Sequence, residues 1–431
     1  MYDNHPKTKF IYVGIDCHKF THTAAVINCF NEQLEILTFN NTKEDFIKLE
    51  DMVNKHTTED VKAIYGLEDT KHFGYSLANF LMARDYQVKH ILSNLTYTER
   101  QKHPIISKDD ELDALCIAKV LLDNFDTLRD TTNDEAYWTL KQIVRMRSAL
   151  LKDNVKTKNK LHAQLLHHYP NYKDFFANFD GIVALELWEK YPSPDLLLKV
   201  SLEELEVFVK RGRFPKGKAQ HIYDLVRQEE NNHITYQEER NVLIVTLVRK
   251  IKANNERMEE MAQSMISLYD KLGYKLHTIN GLSKMTAAEI VAEIGNINRF
   301  SKSDKLARYS GIAPINYSSG KQSKEIRNEQ GNRQLNRCIF ALAIRNISPG
   351  NTKENPTNPI FIEYYHKKIS EGKNKQQALT CVMRRLINII YRMMVNKTEF
   401  ILPQELADKC KNSYLEKIKE EKLKQENKNV T

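Results

Sequence analysis

Residues 10–16, FIYVGID, decide how the chain is read. The run is apolar and rich in β-formers, it ends on a carboxylate, and its length suits a buried strand. Working outward, residues 22–28 and 34–39 read as two more strands, and Thr42 reads as a helix N-cap with Asp45 in the first turn. Residues 61–68 (VKAIYGLE) form a fourth strand, again closing on an acid. A helix over 73–84, a short strand over 88–92 and a helix over 109–122 complete the order βββαβαβα.

That order is the one of the ribonuclease-H-like fold, so the expected class is α/β for the N-terminal part and α for the rest. Residues 137–168 show a long helical pattern, with Leu140, Val144, Leu151, Val155, Leu161 and Leu165 on one side. A helical patch over 200–227 carries a capping box, Ser201 with Glu204. A second long pattern covers 237–272, and two long helices around a smaller insert suggest an antiparallel, coiled-coil-like arm. Residues 277–347 hold paired short helices punctuated by Gly281, Gly295, Gly311, Gly320 and Gly331, and residues 359–396 are helical and basic. The expected division is a catalytic domain over 1–130, the arm over 131–274, a mostly helical C-terminal domain over 275–400 and a charged tail over 401–431.

Composition bounds the function. The chain has 431 residues, room for about three domains. Hydrophobic residues at 41% and charged residues at 28% fit a folded chain and exclude a disordered one. With only 14 glycines and 11 prolines, long helices are favoured over an all-β architecture. The net charge of +9 is compatible with a polyanionic partner. Cys17, Cys29, Cys116, Cys338, Cys381 and Cys410 form no CxxC pair, which argues against a zinc ribbon or a disulfide framework and for a reducing, cytoplasmic setting. The first ten residues lack the apolar core of a signal peptide. Residues 386–395, the best apolar stretch, follow Arg384 and Arg385 and are interrupted by Arg392, so no membrane span is expected.

Four acids stand where chemistry needs them. Asp16 ends the first strand, Glu68 ends the fourth, and Asp110 and Asp113 share one helix face three residues apart. Any one of them alone reads as a turn or cap residue. In a fold with strands one and four adjacent they converge, and clustered carboxylates need compensation, which divalent cations supply. A pair of such ions stabilises both the attacking and the leaving oxygen in phosphoryl transfer.

GIDCHK around Asp16, GLEDT around Glu68 and KDDELDALCIAKVL around Asp110 and Asp113 resemble the DEDD signature of the IS110-type insertion-sequence transposases, whose relatives include Piv-like DNA invertases. Lys108, Asp110, Asp113 and Ala114 match the K-x-D-x-x-D-A spacing of that family, with Asp109 as an extra acid and Glu111 pointing elsewhere. The resemblance implies a RuvC-like N-terminal domain that holds Mg²⁺ (or Mn²⁺) on Asp16, Glu68, Asp110 and Asp113.

The C-terminal half carries the second part of the resemblance. Residues 279–295 (INGLSKMTAAEIVAEIG) read as a helix, a glycine turn and a second helix, the pattern of a helix-hairpin-helix, whose backbone N–H groups and helix N-terminus suit a phosphate. An ordinary αα-hairpin in the core explains the same residues. Phe300, Ser303, Leu306, Ala307, Tyr309, Gly311 and Pro314, then Ser319-Gly320, then Gly331, Asn332 and Leu335, are similar to the family's C-terminal transposase domain. There the serine of the S-G pair is the implied nucleophile on DNA, which here is Ser319, with the neighbouring Ser318 as the fallback. A serine hydroxyl could conserve phosphodiester energy in a phosphoserine but needs a base or a metal, so the resemblance implies that the acidic site serves it. Asn328 and Glu329 stand where the family has Ser and Lys, and Arg337 comes one position later than its usual arginine.

Seven Lys or Arg against the single acid Asp153 lie between positions 141 and 160, and residues 210–218 (KRGRFPKGK) hold five bases in nine. A charged helix is usually a solvated face, but this excess favours phosphate binding. The candidate nucleic-acid contacts are Lys141, Arg145, Lys152, Lys156, Lys160, Lys284 and Lys321. The resemblance implies DNA (element ends and target) and a structured guide RNA as partners, in a homo-oligomer, dimer or tetramer. His162, His167 and His168 lack acid or cysteine at ligand spacing and read as structural; His18 lies two residues from Asp16 and reads as facing away or into the turn. The expected function is therefore a DNA transposase or recombinase. Two other readings stay open: a resolvase-like nuclease using the acids without the serine, and a non-catalytic nucleic-acid-binding protein.

Overall fold

The computed structural model describes residues 5–68, 72–102, 109–131, 135–212, 214–228, 235–319, 322–326, 331–350 and 356–428. The chain divides into two compact units, Met1–Asn133 and Asp134–Thr431.

In the first unit β1 (Phe10–Cys17), β2 (Thr21–Ile27), β3 (Gln33–Asn40), β4 (Lys62–Glu68) and β5 (Gln87–His90) form one sheet in the order β3-β2-β1-β4-β5. The β1–β2 and β2–β3 pairs are antiparallel, and β1–β4 and β4–β5 are parallel. The strands fall where the alternation of apolar runs and turn residues places them. The central strand β1 is apolar from Phe10 to Ile15 because both faces are covered. Ile11, Val13 and Ile15 pack with Phe46 and Leu49 of α1 (Lys43–Asn54) and Leu77 and Leu81 of α2 (Tyr75–Met82). Tyr12 faces the other way, into a core with Ile117, Ala118 and Leu121 of α4 (Asp110–Asn124). Thr42 does cap α1, its Oγ1 accepting from the Asp45 N–H at 3.4 Å.

One helix of this unit has no sequence signal. α3 (Ser93–Arg100, SNLTYTER) has no apolar stripe and buries only Thr96. Its packing against α4 holds it helical.

In the second unit α5 (Glu135–His168) runs into an insert of short helices, α6 (Tyr172–Phe175), α7 (Ile182–Lys190), α8 (Pro194–Leu198), α9 (Leu202–Lys210) and α10 (Lys218–Gln228), packed around Trp188. The chain returns along α11 (Gln237–Leu272). Tyr137 bonds Tyr274 and Asn154 bonds Asn255, so the long helices are antiparallel. Ser201 caps α9 by accepting from the Glu204 N–H at 3.2 Å. The seam differs from the expected apolar set: Leu140, Val144, Leu161 and Leu165 are buried, but Leu151 and Val155 are 49% and 53% exposed. The reason is that no third layer covers this stretch among the described residues. Leu140 and Val144 share a core with the C-terminal helices, Leu161 and Leu165 share one with the insert, and the middle of the pair belongs to neither core. There the contact passes to Asn154 and Thr157, which are buried, with Asn154 donating to Asn255 at 2.7 Å.

The C-terminal helices are α12 (Lys284–Ile294), α13 (Ser303–Tyr309), α14 (Arg333–Ile347), α15 (Pro359–Ser370), α16 (Lys375–Asn396) and α17 (Gln404–Lys428), with a hairpin of β6 (Ile315–Ser319) and β7 (Gln322–Ile326) between α13 and α14. The helix-hairpin-helix expected over 279–295 is not formed as read. Only α12 lies in that range, and it is preceded by a single 3₁₀ turn, Leu276–Thr278. Ile279 and Leu282 are core residues, and Gly281 turns between them at φ 77°. The hairpin is instead α11 against α12. No helix among the described residues is long and apolar enough to cross a membrane, and none of the six cysteines is in a disulfide.

Candidate active site

The acids are gathered by sheet register and by one close helix approach. Asp16 and Glu68 are direct partners across the parallel β1–β4 pair, as are Gly14 and Gly66 two residues earlier. With a side-chain period of two, Gly14 and Asp16 share the face of β1 that α4 covers. A Cβ on Gly14 would sit 2.2 Å from the Ala118 nitrogen and 2.4 Å from the Ala114 carbonyl oxygen, so α4 lies directly on the bare backbone there. On Gly66 a Cβ would meet Ile91 and Leu121 at 3.1 Å. This approach brings the first turn of α4 over the end of β1. Asp109 caps the helix, its carboxylate accepting from the Glu111 N–H at 3.2 Å. Asp110 and Asp113 then project from the first turn.

Asp16, His18 and Asp110 each offer a ligand atom, and the three lie within 4.8 Å of one another. His18 Nδ1 is 3.5 Å from Asp16 Oδ2. β1 ends at Cys17, and the His18 N–H donates to the Thr21 carbonyl, so the turn swings the imidazole back to the acid. Glu68 and Asp113 lie outside that triangle but within electrostatic reach of Asp16. Burial pushes the Asp16 carboxyl up to about 6; His18 opposes the shift, and Asp113, Glu68 and Asp110 add to it. Asp113, 8% exposed, forms an ion pair with Arg100 of α3 at 2.5 Å. Sequence reasoning missed both Arg100 and the reach of His18. Arg100 sits on the helix without an apolar stripe, and the orientation of His18 depends on where β1 stops.

Ser318 and Ser319 end β6, in register with Ser323 and Gln322 of β7. Their side chains, and Lys108, Gly320, Lys321, Asn328 and Glu329, lie outside the described residues. The base of the hairpin is well defined. Asn332 caps α14 by accepting from the Leu335 N–H at 2.9 Å, and its amide donates to Glu293 at 2.6 Å and to the Tyr309 hydroxyl at 3.1 Å. Gly331, at φ 130°, passes so close that a Cβ would sit 2.8 Å from the Gly311 nitrogen. Phe300, Leu306, Ala307 and Leu335 are buried around this junction. Burial opposes ionisation of Tyr309, but Arg299, Asn332 and Lys141 together hold its phenol below the usual value. The motif residues flanking the serines thus build the anchor from which the hairpin projects.

The basic residues separate into two groups. Lys141 pairs with Glu293 and Arg147 with Glu289, each at 3.5 Å; Lys158 pairs with Asp180, and Lys284 pairs with Asp270 at 2.9 Å. Arg145, Lys152, Lys156 and Lys160 are exposed, and spacings of seven, four and four put them on one face of α5. In the 210–218 loop Arg211 pairs with Glu186, and Lys218 donates to the Asp174 carbonyl. His168 is buried against the Pro192 carbonyl at 2.8 Å, and burial lowers its pKa. His162 bonds Tyr172.

With this geometry in place, comparison with known proteins is direct. The DEDD transposase model of the IS110 type matches residues 13–170, and the model described as the transposase IS116/IS110/IS902 family matches residues 273–365. The chain belongs to the IS110 family of transposases. It is 26% identical to the insertion element IS110 43.6 kDa protein of Streptomyces coelicolor, over 69% of this chain and 73% of that one. It is 22% identical to the insertion element IS116 44.8 kDa protein of Streptomyces clavuligerus, over 90% of this chain and 96% of that one. The pilin gene-inverting protein of Moraxella lacunata is 27% identical over 33% of this chain and 44% of its own length. As an insertion-sequence transposase, the protein is a DNA recombination enzyme. The first match contains all four acids of the candidate site and the second contains the β6–β7 hairpin; the insert and α16 lie outside both.

Proposed function

We propose that this IS110-family transposase cuts and rejoins DNA phosphodiesters with divalent cations, Mg²⁺ or Mn²⁺, held by Asp16, Glu68, Asp110 and Asp113, and with Ser319 (or its neighbour Ser318) as the nucleophile. The observation that carries the reading is the register pairing of Asp16 with Glu68 beneath the first turn of α4. The strand order β3-β2-β1-β4-β5 and its strand directions support a RuvC-like, ribonuclease-H-like catalytic domain over residues 1–130. The donor set fits a hard cation: carboxylate oxygens dominate, and burial, with the neighbouring acids adding to it, pushes Asp16 up to about 6. When bound, the ions stabilise the attacking and leaving oxygens of phosphoryl transfer. His18 lies against Asp16 and Arg100 pairs with Asp113, contacts that restrain both carboxylates.

In the serine step, the Oγ–P bond forms as the P–O bond to one DNA strand breaks, the serine proton leaving to a base and the departing oxygen taking one up. A hydroxyl of another strand reverses the exchange and frees the serine. The reading requires the acidic site and the serine to act on one phosphodiester. The arm, 131–274, with its exposed stripe Arg145, Lys152, Lys156 and Lys160, is the surface best suited to a structured guide RNA, and 275–400 serves as the serine-bearing transposase domain. A homo-oligomer, dimer or tetramer, working on cytoplasmic DNA follows from the need to hold several DNA ends at once.

Mn²⁺ binding, followed by the loss of the free-ion spin-resonance signal, tests the metal half. Asp16→Asn and Asp110→Asn are expected to weaken it at least about tenfold, while Glu111→Gln leaves it unchanged. Equal binding by all three variants and the parent would remove the acids from the metal site.

A further inference from the structure

At the C-terminal edge of the second family match and mostly beyond it, α16, the start of α15 and the segment leading into α17 line a cavity of about 410 Å³. Its walls are largely apolar, with Phe361, Ile389, Phe400 and Leu402 among them. Two arginines, Arg385 and Arg392, stand one heptad apart on the α16 face that lines it, and no lining residue is acidic. Arg385 lies over the Tyr364 ring at 3.7 Å, a contact that restrains its guanidinium. Between the arginines on the same face is Asn388, whose side-chain carbonyl oxygen is buried with no hydrogen-bond partner among the described residues. A buried acceptor left without a donor is costly, so an occupant that donates is favoured.

We propose that this cavity binds one unpaired nucleotide of the nucleic acid on which the transposase acts. The base enters the apolar part, its Watson–Crick edge donates to Asn388 Oδ1, and the adjoining phosphate meets Arg385 and Arg392. Three requirements point to that ligand: a flat apolar body, an N–H donor and an anion, in a space within the usual range for a small ligand. A fatty acid meets the first and third and brings no donor. Every base has an edge N–H once unpaired, whereas in a duplex that edge is used, so the pocket selects unpaired nucleotides. The inference rests on the protein's nucleic-acid partner and not on the metal or the serine, and its test reads binding alone.

The full chain is titrated with a DNA hairpin carrying one bulged 2-aminopurine, with its fully paired counterpart, and with RNA versions of both. The bulged probe is expected to bind at least about fivefold tighter than the paired one and to change fluorescence on binding. Asn388→Leu combined with Arg392→Gln is expected to weaken bulged-probe binding about tenfold and paired binding about twofold. Ile401→Glu, at an 82% exposed position on the rim that leaves the core untouched, is expected to act in the same direction. A response from DNA, RNA or both supports the proposal and names the backbone. Equal binding of bulged and paired probes by the parent, or equal loss of both in the variants, overturns it and makes the arginines plain phosphate contacts. Variants that keep the full bulge preference but change their mass in solution also overturn it, in favour of an interface between two copies.

Discussion

Asp16 is held in an environment that works against its own charge. Its carboxyl is pushed from 3.8 up to about 6, burial being the largest cause. Between those values the native protein keeps a proton that the unfolded chain releases, so stability falls as pH rises from about 4 to about 6 and stays lowered above. Asp16→Asn removes that cost. In EDTA at pH 8 the variant is expected to melt a few degrees above the parent, with the gap closing below about pH 4, while DNA cleavage is lost. A variant that melts at or below the parent at pH 8 would show that the crowding is not felt. All four acids were legible because each sits at a strand end or a helix start, positions that periodicity locates. The partners of two of them were not: His18 depends on a turn beginning one residue after Cys17, and Arg100 on a helix that only tertiary packing maintains.

At the scale of elements, α4 on β1 makes the site. Gly14 is the point of contact, and any Cβ there collides with helix backbone, which cannot rotate away as a side chain can. Gly14→Ala is expected to cost about 3 kcal/mol, at the upper end of ordinary overpacking, and to displace Asp110 and Asp113 from Asp16. Gly181→Ala is the control, since its Cβ would meet nothing closer than 3.4 Å. Denaturant melts and Mn²⁺ binding measure both effects; similar stability of the two variants would contradict the close approach. The order of strands along the chain and the adjacency of the first and fourth were readable because β1 and β4 are apolar runs that each close on an acid. The turn around Gly281 was not, because Ile279 and Leu282 carry the apolar spacing of a helix while packing as a core-facing turn. Leu151 and Val155 misled for a related reason: their spacing fits the stripe, but among the described residues no third layer covers the middle of the arm.

For the whole molecule, net charge is a poor guide to which bases meet nucleic acid. Three of the seven between 141 and 160 are held by Glu293, Glu289 and Asp180, and Lys284 by Asp270, pairings made between different segments of the fold. Changing Arg145, Lys152, Lys156 and Lys160 together to Gln is expected to reduce the slope of log binding against log salt by up to about 3 to 4, whereas Lys284→Gln leaves it within about 0.5. Equal changes in slope would show that the ion pairs open on binding. The central claim joins the two halves of the chain: the acids gathered by β1, β4 and α4 serve a serine on the β6–β7 hairpin. The most direct measurement is covalent trapping, in which labelled element-end DNA is incubated with the protein, its copurifying RNA and Mg²⁺, then resolved under denaturing conditions. The account predicts a labelled protein band that disappears with Ser319→Ala (or with Ser318→Ala, if that serine is the nucleophile) and also with Asp16→Ala. DNA cut without any covalent band, and unaffected by either serine change, would contradict it and leave a resolvase-like nuclease.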